Sequence, residues 1–202
     1  MAYKAYYKFN SGALTTDSSG NAQTWTQTGT VTAVPAVVGT GADTGTTGTN
    51  GFTRTSITGI NPNTKMTLSY IVRYTSNTTS SNFVFDIRTA NNYFICRHGS
   101  NKMDMNMGNF VNSNTTFALG KFYHIAIPVT TSNIYSLYVN GVLDKTTQGS
   151  VNAGQSPSVS LMYSSATASN TAYGVMDEAI FDSETWNAQF VKTKYMAYRG
   201  IF

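Results

Sequence analysis

An acidic pair interrupts an otherwise apolar stretch near the end of the chain: Tyr173-Gly174-Val175-Met176-Asp177-Glu178-Ala179-Ile180-Phe181-Asp182. Burying a carboxylate is costly unless something compensates it. Asp177 and Glu178 must therefore meet a cation, a set of hydrogen-bond donors, or water. The answer separates an ion-stabilised binding domain from a plain β-sandwich.

Other residues with chemical potential are fewer. Retaining glycoside hydrolysis needs two carboxyl groups about 5 Å apart. The nearest constellation is Asp86 with Asp104, on strands expected to be neighbours, and no strand carries a Glu-x-Asp-x-Glu pattern. Solvation of an exposed face accounts for these acids better than an acid/base pair does. Cys96 is the only cysteine, which excludes an intrachain disulfide. It reads as a small buried hydrophobe, with His98 on the same strand face as its one conceivable partner. His98 and His124 fit no metal-ligand spacing.

The elements that must position these residues are β-strands. Charged residues make up 11% of the 202 residues, while aromatics reach 13% and hydrophobics 41%. The polar surface is then built from Thr, Ser, Asn and Gly, which suit strand faces and turns better than helix interiors. Strands are predicted over 3–9, 52–57, 66–74, 83–88, 93–98, 102–107, 122–129, 135–139, 142–145, 159–163 and 175–181, with short strands and irregular loops over 29–51. Met103, Met105 and Met107 alternate with Asp104 and Asn106, which predicts a core face and a wet face. Pro128 lacks an N–H and marks an edge, a bulge or a strand end. Asn140-Gly141 predicts a two-residue hairpin turn. A C-terminal helix, capped by Ser183 or Thr185 and stopped by Gly200, carries Trp186, Phe190, Val191 and Tyr195 on one stripe.

The net charge of +4 is scattered, with no run of Lys or Arg, so no nucleic-acid partner is expected. No segment approaches the length of a membrane span, and no apolar leader precedes the first strand. Residues 1–202 are read as a single all-β domain.

Three motifs, the acidic stretch among them, follow in order. Tyr6-Tyr7-Lys8-Phe9 precedes Asp17-Ser18-Ser19-Gly20-Asn21. Lys121-Phe122-Tyr123-His124-Ile125-Ala126 leads to Leu137-Tyr138-Val139-Asn140-Gly141-Val142. Gly174-Val175-Met176-Asp177-Glu178-Ala179-Ile180-Phe181 precedes the helix. Together they resemble the laminin-G-like, concanavalin A-like jelly-roll family. The resemblance implies a β-sandwich of two antiparallel sheets, one of them concave. It also implies a structural Ca²⁺ held by Asp17 and Gly20 of the first loop and Asp177 of the last strand. The alternative is that Asp177 accepts hydrogen bonds from that same loop, with no ion.

Asp86, Arg88, Arg97, Asp104 and Asn106 are candidates for a polar patch on the concave sheet, with Tyr93 or Trp25 as a stacking platform for a glycan; the alternative is that they are simply the wet side of the sheet. The family also hosts many virion proteins, so fold alone leaves function open. The absent leader and disulfide, the Thr/Ser/Asn-rich surface and the apolar end Ile201-Phe202 favour a non-enzymatic virion surface, fibre or attachment protein of a bacteriophage. Its expected partners are other virion proteins or further copies of itself, with a host glycan as ligand. A stand-alone carbohydrate-binding module is the alternative, and a glycoside hydrolase is disfavoured.

Overall fold

The computed structural model describes residues 3–46, 48–76, 82–89, 92–106, 110–149, 158–164 and 172–200. Met107 and the apolar end Ile201-Phe202 lie outside them. Fifteen strands and one helix follow in chain order among the described residues: β1 (Ala5–Tyr7), β2 (Thr26–Thr28), β3 (Thr32–Pro35), β4 (Thr40–Asp43), β5 (Gly51–Arg54), β6 (Met66–Tyr74), β7 (Asn82–Thr89), β8 (Asn92–Gly99), β9 (Lys102–Asn106), β10 (Phe110–Asn112), β11 (Phe122–Val129), β12 (Ile134–Val139), β13 (Val142–Gln148), β14 (Ser158–Leu161), β15 (Gly174–Asp182) and α1 (Ala188–Arg199).

The strands form two sheets. An eight-stranded sheet runs β13-β12-β11-β6-β15-β4-β3, with β1 also pairing β15; a seven-stranded sheet runs β10-β9-β8-β7-β14-β5-β2. Neighbours pair antiparallel throughout, as in the β6–β15 and β7–β8 ladders. Side chains alternate across each strand. Leu68, Tyr70 and Val72 of β6 therefore face Phe85, Ile87, Phe94 and Cys96 of the other sheet in one buried cluster. Each such aromatic or aliphatic side chain contributes about 1.5–3 kcal/mol by leaving water. Met103 and Met105 join this core as their alternation predicts. So does Trp25, 3% exposed and packed on Tyr7 at 5.1 Å between ring centroids. The proposed stacking role of Trp25 is thereby corrected: the ring is interior.

The hairpin at Asn140-Gly141 is as predicted. Both residues have positive φ, and Val139 pairs directly with Val142 across the turn. Pro128 lies opposite Thr67 in the interior of its sheet, one residue before β11 ends. The helix starts later than expected. Asn187, and neither Ser183 nor Thr185, accepts the Phe190 N–H as N-cap. Asp182 holds the preceding residues in a turn by accepting the Glu184 N–H and the Trp186 indole N–H. Trp186 then sits just before the cap and packs on Val191 and Phe190, a hydrophobic staple. These side chains lay α1 against the outer face of the eight-stranded sheet, over Ala126, Tyr138 and Ile180.

Candidate functional site

The acid pair lies where one edge of β15 changes partner. Along that edge β4 pairs Val175 and Met176, and β1 pairs Ala179 to Phe181. Asp177 and Glu178 fall in the gap between them. There the register with β6 shifts and Glu178 takes φ 53°. Such a bulge turns two successive side chains to the same side. Met176, Ala179 and Phe181 enter the core, while both carboxylates lie on the outer face, buried at 0% and 2% exposure. Asp177 Oδ2 accepts the Val38 N–H at 2.8 Å. Glu178 Oε2 accepts the Tyr6 hydroxyl. Burial, assisted by Glu178, raises the Asp177 carboxyl to about 7 against the opposing Val38 hydrogen bond. Burial also raises Glu178, against Tyr6, Lys8, Lys194 and Tyr198.

The loop expected to meet Asp177 closes on itself instead. Asp17 Oδ1 accepts the N–H groups of Tyr6 and Ser19, at 2.9 and 2.8 Å. Its Oδ2 accepts the Ser19 hydroxyl and the Gln23 N–H, at 2.8 and 3.0 Å. Burial works to raise this carboxyl, but the donors of Tyr6, Gln23 and Ser19 outweigh it and hold it low. A carboxylate carrying four donors on two oxygens has no lone pair aimed at a cation. Gly20 takes φ 86° in this turn, and Asp177 is served by a different loop. Among the described residues no group of three His, Cys, Asp or Glu side chains is placed to hold a metal. Asp17, Gly20 and Asp177 do not fit a shared Ca²⁺.

The predicted polar patch assembles on the outer face of the seven-stranded sheet. Inward positions are Phe85 and Ile87 on β7, Phe94 and Cys96 on β8, and Met103 and Met105 on β9. The alternate positions place Asp86, Arg88, Arg97, Asp104 and Asn106 on the opposite face. Arg88 Nε lies 2.8 Å from both oxygens of Asp86, which also accepts the Ser164 hydroxyl at 3.1 Å. Burial raises the Asp86 carboxyl, with Arg88 and Ser164 opposing. Arg97 meets Asp104 at 3.5 Å, and burial raises Asp104 against Arg97. Tyr93 pairs with Arg88 in the β7–β8 ladder; its side chain lies outside the described residues.

Asp86 and Asp104 are not on neighbouring strands: β8 runs between β7 and β9. Two strand spacings separate them by about 10 Å, and each has its own arginine. They do not form the close acid pair of a retaining hydrolase.

Two features of this face escaped the sequence reading. Phe110 on β10 is 59% exposed, with the Arg97 guanidinium 4.2 Å from its ring centre. An exposed aromatic ring thus presents apolar surface next to a guanidinium and its carboxylate partner. Its only sequence signal was an isolated Phe in an Asn- and Gly-rich segment. Toward the opposite edge of the sheet, Thr24, Thr26, Thr53, Arg54, Thr55 and Ser158 line an open cleft of about 340 Å³. It adjoins the ion pair, because Ser158 pairs with Arg88 and Ser160 with Asp86. The buried Ser160 Oγ and Arg97 Nε have no hydrogen-bond partner among the described residues.

The remaining nucleophiles and bases are enclosed. Burial pushes the Cys96 thiol up and lowers His98, which stacks on Tyr74 at 3.7 Å, to about 4. Ser69 Oγ lies 2.9 Å from His124 Nε2. Burial, then Lys194, lowers His124 to about 4, and Tyr195 and Tyr198 of α1 cover the ring.

The profile of the Laminin_G_3 family, described as the concanavalin A-like lectin/glucanases superfamily, matches residues 46–189. The chain belongs to this superfamily. Comparison with curated protein sequences finds no match. Among solved structures, this concanavalin A-like sandwich is similar to domain 4 of AbnA, a GH43 extracellular arabinanase from Geobacillus stearothermophilus, in complex with arabinotriose. Identity is 19% and the TM-score 0.74, over 95% of this chain and 97% of that one. It is similar to the binding domain of Paraclostridial Mosquitocidal Protein 1, at 13% identity and TM-score 0.78, over 98% and 52%. It also matches a botulinum neurotoxin type C structure whose cell entry depends on two ganglioside molecules, at 11% identity and TM-score 0.77, over 98% and 51%. The chain spans about half the length of those toxin domains.

Proposed function

We propose that this lectin-like sandwich is a non-enzymatic carbohydrate-binding module that holds an oligosaccharide across the outer face of its seven-stranded sheet. The observation that carries the reading is the exposed Phe110 ring, set by Arg97 beside Asp104 on the face that also bears the Asp86–Arg88 pair. The ring offers an apolar surface to a sugar's C–H face, and the partly exposed Arg97–Asp104 pair offers donors and an acceptor to its hydroxyls. The arabinotriose and ganglioside named with the similar structures give the reading its first ligands to try.

The test is a glycan array followed by calorimetry with arabinotriose and with each array hit. Wild type binds at least one glycan. Phe110→Ala weakens it about tenfold, the scale of one aromatic anchor, and Asp104→Asn weakens it further. Binding that ignores both substitutions removes this face from consideration.

An attachment role on a virion would use the same face and add a protein partner. Co-sedimentation of the chain with phage particles is the measurement that supports it, and its recovery only as free protein rejects it.

A further inference from the structure

A second cleft opens on the eight-stranded sheet, at its β3 edge. Thr30, Thr32, Asp43, Gly45, Thr46 and Asn50 line it, around a volume of about 490 Å³. The register fixes where the central side chains point. Ala42 lies in the core cluster, so its neighbour Asp43 turns to the outer face. Thr32 pairs directly with Asp43 across the β3–β4 ladder, and directly opposite residues share a face. Hydroxyl and carboxylate therefore stand side by side at the cleft wall, with Thr32 exposed.

Asp43 is held at one oxygen only. Its Oδ1 accepts the Gly45 N–H at 2.8 Å, and among the described residues no further donor or cation meets this carboxylate. Asn50 braces the neighbouring chain: its Oδ1 accepts the Thr30 N–H at 2.9 Å and its Nδ2 donates to the Thr44 carbonyl at 2.8 Å. Gly45 leaves open space where a side chain would stand. The cleft is thus set before any ligand arrives, which limits the freedom lost on binding.

A carboxylate only accepts hydrogen bonds, while a threonine hydroxyl donates and accepts. The matching ligand brings several hydroxyls on one small frame. Asp43 is the only charged residue of the lining. One acid gives a divalent cation too few anionic oxygens, and an unpaired carboxylate repels an anion. We infer that the Asp43 cleft is a binding site for a neutral sugar, whose adjacent hydroxyls donate to Asp43 and exchange hydrogen bonds with Thr30 and Thr32. The site is independent of the Phe110 face, because β3 and β4 belong to one sheet and β10 to the other.

The experiment is amide NMR of the whole chain, titrated with D-glucose, D-galactose and D-mannose, each beside its uronic acid, and with D-glucosamine. At least one neutral sugar is expected to shift the Gly45 amide saturably, equally in wild type and Phe110→Ala. Its uronic acid binds about tenfold more weakly. Asp43→Asn keeps an acceptor for the Gly45 N–H, loses the charge, and weakens the neutral sugar about tenfold. Thr32→Lys sets an ammonium directly opposite the carboxylate on an exposed strand; it also abolishes the shift, with an unchanged thermal midpoint. No saturable Gly45 shift with any neutral sugar overturns the site, as does a shift that survives both Asp43→Asn and Thr32→Lys. Glucosamine binding more tightly than glucose, with a gain that fades as salt rises, makes it a cation site and overturns it too. Glycan binding that Phe110→Ala abolishes everywhere leaves the first reading standing and removes this one; a Gly45 shift without any response to Phe110→Ala does the reverse.

Discussion

Asp177 and Glu178 are sequence neighbours whose carboxylates emerge on the same side of β15, beneath Tyr6 and Tyr198 and away from the core. In a regular strand one of them would point inward. The positive φ of Glu178 and the exchange of β4 for β1 along the strand edge make the shared side possible. A buried carboxyl pair of this kind keeps a proton that an exposed one would release.

Stability should accordingly fall between about pH 4 and pH 7. The folded Asp177 carboxyl titrates near 7, raised by burial first and by Glu178 second, while in the unfolded chain it titrates near 3.8. Between those values the folded state binds more protons, so stability declines as pH rises and stays low above 7. Asp177→Asn removes the titration but can still accept the Val38 N–H. It is expected to match wild type near pH 4 and to exceed it by up to about 4 kcal/mol at pH 8, read from urea unfolding at each pH. Parallel pH profiles for the two proteins would refute this.

Tyr6→Phe removes the hydroxyl that donates to Glu178 Oε2. A buried carboxylate oxygen then loses its donor, at a cost of about 1–3 kcal/mol. The loss should appear in the denaturant midpoint at pH 8 and shrink at pH 4, where Glu178 is neutral.

Calcium and chelator should leave the thermal midpoint unchanged, because the Asp17 oxygens already accept four hydrogen bonds, three from their own loop and one from Tyr6 on β1. Asp17→Ala is expected to lower stability by about 1–3 kcal/mol in either solution. A midpoint that climbs with Ca²⁺ in wild type but not in Asp17→Ala would restore the ion.

Gly141→Ala strains the hairpin. Gly141 has φ 75°, and an added Cβ would lie 2.9 Å from Cδ1 of Tyr195 on α1. Left-handed strain and that contact together predict a loss of about 1–3 kcal/mol, measured by thermal or chemical unfolding.

The sandwich was legible because its signals are local. The strand patterns of β6, β7, β8 and β9, and the Asn140-Gly141 turn, depend on period and turn chemistry alone. The five polar residues on β7, β8 and β9 share a face for the same reason. What was not legible depends on partners distant in sequence. Whether the 17–23 loop reaches Asp177 is decided by Val38, which lies between β3 and β4 and takes that role. Trp25 resembles a surface platform until Tyr7 and Phe181 are placed around it. Asp86 and Asp104 look adjacent until β8 is laid between them. The N-cap moved to Asn187 because Asp182 captures the Trp186 indole, a contact no propensity scale contains.

The helix packed over Ala126, Tyr138 and Ile180 makes the molecule one-sided. Tyr3 also rests there, 6.2 Å from Trp186 between ring centres, while Phe110 looks out from the far sheet. A label or surface anchor on Lys192, exposed on α1, would present the opposite sheet to solution in one orientation. Protein immobilised this way should keep its full capacity for sugar at the Phe110 face, whereas anchoring through Lys102, on β9 of the other sheet, should obstruct it.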